Sequence, residues 1–319
     1  MRDDLSDTGV IPSPGYPYNS PDIISHAQVA SPKTYFKNNY NINPNQPIEL
    51  GSHINFIYVR AKNLSSATKS SYYISVYRSP SSLWLTPSLW KPYKLKTQSG
   101  EDYVTLDPVN PNAIVVGNDN FILDGMATNY FCVVGVASNQ KDPTLPNSFS
   151  SYSDYWNWIR NNQNICGNNL NQIRSFPNRQ FERLDNFENP SDQPAPILIK
   201  LTASGPLPSG TVFGVSCAPC NISRQQTVSQ GTILTASGMV PAHFNGSVKT
   251  YAELPSNGTW PAGATITTHL YVGQDADSES AQYATPHEII GVKQRDLGEY
   301  HAKNGVLVLL GSTGTEFVS

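Results

Sequence analysis

From residue 53 onward the pattern takes a period of two. Ile54, Phe56 and Tyr58 interleave with Asn55, Ile57 and Val59 in a strongly β-forming run that ends at Lys62-Asn63. Residues 72–78, after a Ser/Thr-rich turn, predict the next strand. Residues 104–106, 113–116 and 121–123 are short apolar runs at turn-punctuated spacing, the pattern of a sandwich. Residues 129–136 and 158–166 predict two late strands joined by a long, aromatic, Pro-bearing loop. Within that loop, residues 153–158 predict one helical turn with a Ser cap. Residues 80–92, with Leu83, Trp84, Leu85, Leu89 and Trp90, predict a long decorated loop.

A second β series covers residues 197–201, 211–215, 231–235, 248–251 and 265–272, with Asn245-Gly246 and Asn257-Gly258 as turn dipeptides. The period then changes. Thr285-Pro286-His287-Glu288 is a capping box with Pro at the first helical position. It predicts a helix that runs past Leu297 and Tyr300 to Ala302 and stops at Asn304-Gly305, before an apolar closing strand over 306–310. The pattern therefore predicts an all-β chain of two β-sandwich (Ig-like) domains in tandem, the second with a short C-terminal helix before its last strand. Residues 1–47 predict an extended N-terminal arm with a first strand, ordered by packing on its own domain or on a neighbouring subunit. Residues 48–175 form the first sandwich, 176–196 a Pro-rich linker with four prolines and most of the local charge, and 197–319 the second sandwich.

Composition narrows the function classes. The 319 residues carry a formal net charge of −3, and charged residues make up only 14% of the chain, below the roughly 25% of an average soluble protein. Polarity comes from Asn, Ser, Thr and Gln, which suits surfaces that associate without desolvating charge. No Lys/Arg run exists to neutralise several phosphates, which argues against nucleic acid. The acidic start Met1-Arg2-Asp3-Asp4-Leu5-Ser6-Asp7 does not read as a signal peptide, and no stretch approaches the ~20 apolar residues of a membrane span. A cytoplasmic product as synthesised, released by a one-step route or lysis, is the expectation.

Candidate chemistry is sparse. Four cysteines give two possible disulfide pairs, Cys132 with Cys166 and Cys217 with Cys220. Cys217-Ala218-Pro219-Cys220 has redox spacing but follows a strand rather than opening a helix. His287-Glu288 lacks the second His of a zinc-protease helix. Asp275, Asp277 and Glu279 alternate like an early calcium loop but lack its glycine and distal Glu. No Gly-x-Ser-x-Gly frame and no phosphate loop is present. The expectation is no enzyme, no cofactor and no metal. Binding candidates are the aromatic residues Trp84, Trp90 and Tyr93 in one loop and Tyr155, Trp156 and Trp158 in another, which either meet a partner or fold back to plug the sandwich ends.

Four segments follow in a telling order: Ser20-Pro21-Asp22-Ile23, then Tyr58-Val59-Arg60-Ala61-Lys62-Asn63, then Tyr130-Phe131-Cys132-Val133-Val134, then Arg160-Asn161-Asn162-Gln163-Asn164-Ile165. Over about residues 20–175 this order resembles the Ig-like, CARDB-type adhesion modules of bacterial extracellular and toxin-associated proteins. Ala61 and Leu64 replace the usual Val and Gly, and Cys166 stands where an aromatic-containing strand is common. The resemblance implies a non-catalytic sandwich used for spacing, adhesion or assembly and carries over no catalytic residue. The expected function is a structural or interaction protein of a bacterial assembly, adhesin or toxin system. It would self-associate, or bind another protein, through neutral polar and aromatic surfaces. A lectin using its aromatic loops is the alternative, and a hydrolase with non-local carboxylates the third.

Overall fold

The computed structural model describes residues 1–13, 17–51, 53–79, 87–124, 132–150, 152–175, 178–256, 258–275 and 305–318. Two compact units emerge. One comprises residues 1–80, 85–148 and 156–170; the other comprises 81–84, 149–155 and 171–319.

The first unit holds β1 (Ile23–His26), β2 (Ile48–Glu49), β3 (Ile54–Lys62), β4 (Tyr72–Ser79), β5 (Lys96–Thr97), β6 (Val104–Leu106), β7 (Ile114–Val116), β8 (Phe121–Asp124), β9 (Cys132–Ser138) and β10 (Ile165–Asn169). One sheet runs β1-β3-β8-β5, with β7 also paired to β3; the other runs β10-β9-β4-β6. Their facing sides interleave as expected for a sandwich: Ile57, Val59 and Phe121 from one sheet meet Ile74, Val76 and Val133 from the other. The alternate residues of β3 are also covered. Helix α1 (Pro32–Asn38), opened by Pro32 in its first turn, packs Phe36 on Ile24, Tyr58 and Val116. This helix was hidden in the arm, whose Asn, Pro and Tyr content reads as extended chain. Other described parts of the arm also dock on this unit. Residues 17–20 lie along the free edge of β10, where Gly167 N–H donates to Pro17 O (2.8 Å) and Asn169 N–H to Tyr18 O (3.0 Å). Gly167 is needed there, because a Cβ would stand 2.5 Å from the Tyr18 ring.

Two further short helices lie at 87–90 and 152–160: α2 (Pro87–Trp90) and α3 (Tyr152–Arg160). α3 replaces both the single predicted turn and the first part of the strand expected over 158–166. Asp154 in its first turn and Arg160 in its last complement the helix dipole.

The second unit holds β11 (Gln172–Ser175), β12 (Gln180–Asn189), β13 (Ala195–Ser204), β14 (Val212–Cys217), β15 (Ile222–Thr227), β16 (Ile233–Val240), β17 (Phe244–Glu253), β18 (Thr265–Asp275) and β19 (Gly305–Val318). One sheet has the order β16-β13-β18-β19-β11 and the other β12-β17-β14-β15. The expected linker over 176–196 is corrected here: β12 and the start of β13 occupy it. β12 escapes a hydrophobicity reading because its inward positions run Phe181, Arg183, Asp185, Phe187 and Asn189, with charge at the centre. Asn245-Gly246 likewise lies inside β17 rather than in a turn. The closing strand is found, longer than expected. The predicted helix over 285–302, with His287 and His301, and the acidic residues Asp277 and Glu279 lie outside the described residues, as does Trp84. At one end of the second sandwich Trp260 stacks on Phe317 (3.9 Å between ring centroids, 9° between planes) and donates from Nε1 to Asn178 O (2.9 Å).

Candidate interaction surfaces

The aromatic candidates separate by burial. Trp90 is 0% exposed and packs at 5.0 Å on Tyr77. Tyr155 and Trp156 are buried on successive positions of α3, Tyr155 against Phe149 at 5.2 Å. Trp158 is half-buried. Tyr93, 44% exposed with the Arg78 guanidinium 5.7 Å from its ring centre, offers an accessible face. A ring in a packed interior contributes its area to folding and has no face left for a sugar or partner, so Trp90, Tyr155 and Trp156 do not form a platform in this conformation.

The strongest charges are also internal, in two clusters that charge counting along the sequence does not reveal. In the first unit Asp22 and Arg60 are both fully buried. Arg60 sits on the outer face of β3 beneath the turn that follows α1. Its guanidinium donates to Asp22 Oδ1 (3.0 Å) and to the carbonyls of Phe36 (2.9 Å), Asn39 (2.9 Å) and Ile42 (3.0 Å). Arg2 adds a second guanidinium, donating to Asp22 Oδ1 at 2.6 Å and lying 3.6 Å over the Tyr40 ring. The acid and the base belong to two of the segments that carry the adhesion-module resemblance. Their pairing, 38 residues apart, gives those segments a physical role: they tie the arm and α1 to the sheet.

In the second unit Arg183 donates to Asp185 Oδ2 (3.1 Å), Thr315 Oγ1 (2.9 Å) and Thr268 Oγ1 (2.6 Å), all buried between the sheets. Burial pushes the Asp185 carboxyl up, against the opposing pull of Arg183. The signal available in sequence is an ionisable residue at an inward position of an alternating strand.

All four cysteines are free and buried. Cys166 lies opposite Gly135 and Cys132 opposite Asn169 in the β10–β9 ladder. The two are therefore offset by three positions, or about 10 Å along the strands at ~3.4 Å per residue. That separation excludes a Cys132–Cys166 disulfide. Burial pushes both thiols up. The Cys217 and Cys220 sulfurs, in contrast, lie 3.0 Å apart.

Among the described residues of the first unit, two cavities can be traced. One, of about 370 Å³, runs between α1 and β7, with Lys33, Lys37 and Asn38 on one wall and Asp107, Asn110 and Val115 on the other. Lys33 is engaged by Asp107 at 2.7 Å, both half exposed, a pairing worth little in water. The other, of about 360 Å³, has an apolar floor of Ala61, Leu106 and Ala137 and a rim carrying Lys62, Lys69 and the Met1 side chain. Neither brings a nucleophile to a general base; their linings suit holding a ligand rather than transforming one. Among the described residues no cluster of three His, Cys, Asp or Glu side chains is placed to hold a metal ion. His269 is held neutral, pushed down to about 4 by burial and by Lys200. Among the same residues no helix is long and apolar enough to cross a membrane.

No family model matches the chain, and no curated protein matches it. Among solved structures it is similar to the collagen adhesin (CNA) of S. aureus, at 10% identity over 85% of this chain and 90% of that one, with a TM-score of 0.22. It is also similar to the calcium-binding domain CBD12 of CALX1.1 (8% identity, 85% and 95% covered, TM-score 0.16) and to the multicopper oxidase Fet3p (11% identity, 81% and 44% covered, TM-score 0.18). Likenesses this low carry no functional argument; the strand pairing itself establishes an all-β chain of two sandwiches.

Proposed function

We propose that the chain is a non-enzymatic interaction protein, a subunit or accessory of a bacterial assembly, adhesin or toxin system. On this reading residues 20–175 serve as an adhesion-type sandwich, and the protein self-associates through neutral polar surface. One observation carries it: the buried ion pairs Asp22–Arg60 and Arg183–Asp185 hold each sandwich together rather than face a cleft, and Cys132 and Cys166 lie in the core. Among the described residues, Asn, Ser, Thr and Gln supply the largest share of what faces solvent, with single exposed apolar side chains such as Ile54, Leu184 and Met239. Such a surface binds by shape and neutral hydrogen bonds, with little charge to desolvate.

The test is the size of the purified protein by light scattering and its appearance in the electron microscope, at low salt and at about 1 M salt, where the Debye length falls to roughly 3 Å. Oligomers, rings or filaments that survive high salt support the reading. A monomer at every concentration, or an assembly that dissolves between low and moderate salt, overturns it. Dissociation by a simple sugar would favour a lectin built around Tyr93 and Trp158.

A further inference from the structure

Cys217 ends β14, and Cys220 ends the three-residue 3₁₀ turn Ala218–Cys220 that leads into β15. Pro219 stiffens that turn. Asn221 then adopts the left-handed conformation (φ 57°, ψ 34°), and its N–H donates to Ala218 O at 3.0 Å, which closes the hairpin. The geometry turns both cysteine side chains to one side, sulfur to sulfur at 3.0 Å. Both residues are buried, yet Ala218 and Pro219 above them are exposed, so the pair lies one layer below solvent. The backbone of Cys220 rests on β16 at Gly238, where a Cβ would stand 2.2 Å from Cys220 O. No third metal-ligating side chain joins them among the described residues. A structural zinc site, which takes four ligands, is therefore incomplete.

We infer that Cys217 and Cys220 form an oxidation site, at which hydrogen peroxide converts the dithiol into an intrachain disulfide. The Cys217 thiolate attacks one peroxide oxygen, the O–O bond breaks, and hydroxide leaves to be protonated to water. Cys217 is now a sulfenic acid. The Cys220 sulfur attacks the Cys217 sulfur, the S–O bond breaks, and a second water departs with the Cys220 proton. Two thiols and one peroxide become one disulfide and two waters. The environment distinguishes the two roles. The thiol–thiol hydrogen bond holds Cys217 down at about 7, while the same contact and burial push Cys220 far up. Cys217, drawn down by the contact, is accordingly the attacking sulfur and Cys220 the resolving thiol. Cys132 and Cys166 have no such pairing and stay reduced.

The full chain is exposed to hydrogen peroxide, quenched, unfolded and alkylated, and its cysteine peptides are weighed. The expected result is that the peptide bearing Cys217 and Cys220 loses two hydrogens, resists alkylation and recovers with dithiothreitol. The peptides of Cys132 and Cys166 should alkylate fully. Cys220→Ser should trap Cys217 as a sulfenic acid that a dione probe labels, and Cys217→Ser should abolish labelling. Circular dichroism verifies that both variants are folded. If Cys217 and Cys220 alkylate as fully as Cys132 and Cys166 under peroxide that oxidises an exposed thiol control, the inference fails. It also fails if the dione labels Cys217→Ser as strongly as Cys220→Ser.

Discussion

Replacing Asp22 by Asn keeps the volume of the side chain and removes its charge. Arg60, fully buried, would then keep three carbonyl acceptors, Phe36, Asn39 and Ile42, but lose its counter-charge. Breaking a buried pair from one side costs about 3–5 kcal/mol, because the remaining ion stays desolvated and uncompensated. Arg2, 11% exposed, loses its partner too but can turn towards water, so its share is the smaller one. The total is a large fraction of the ~5–15 kcal/mol that holds a typical domain together. For a unit of this size it corresponds to a melting temperature lower by about 6–20 °C. Urea unfolding followed by circular dichroism measures the loss, and hydrogen exchange at the amides of β3 and of β13 locates it in the first or the second unit. Arg2→Ala provides the comparison and should cost about 1 kcal/mol or less. If Asp22→Asn costs no more than Arg2→Ala, the pair does not anchor the fold and the reasoning is wrong.

Trp90→Ala should destabilise by about 3–5 kcal/mol, whereas Tyr93→Ala should stay within ~0.5 kcal/mol; equal effects in chemical denaturation would contradict the burial argument. Asp3 is pushed up to about 7, by burial first and also by Asp7, with Ser13 and Arg160 opposing. Between pH ~4 and 7 the folded state therefore holds a proton that the unfolded chain has released, so stability falls as pH rises through that window, at no more than ~1.4 kcal/mol per pH unit. Asp3→Asn should flatten that slope, and an unchanged stability–pH curve would count against it. Deleting residues 1–19 removes buried Tyr18 and the cover on β10; it should lower both the melting temperature and any self-association, and unchanged values of both would show that the arm is a passive tail.

The strands with a clear local apolar pattern, alternating as in β3 and β18 or continuous as at the start of β19, are legible because that one pattern determines them. β12 is not, since Arg183 and Asp185 occupy inward positions and find compensation only in Thr268 and Thr315, more than 80 residues away. α1 escapes for a related reason: seven residues with Phe36 as the buried anchor give too little periodicity to stand out. The aromatic residues were visible as candidates, but whether a ring meets solvent depends on what packs over it. Asp22 and Arg60 were visible only as parts of motifs; their contact exists only once β1 lies beside β3.

The docking of residues 17–20 on β10 makes two amides into reporters. In a strand successive N–H groups point to opposite edges, so Gly167 and Asn169 donate to the arm while Cys166 and Asn168 face β9. Lifting the arm would bare the first two amides to solvent deuterium and leave the β9-facing pair protected. The ratio of exchange rates within these four residues therefore measures the free energy of arm release, apart from unfolding of the sandwich beneath it.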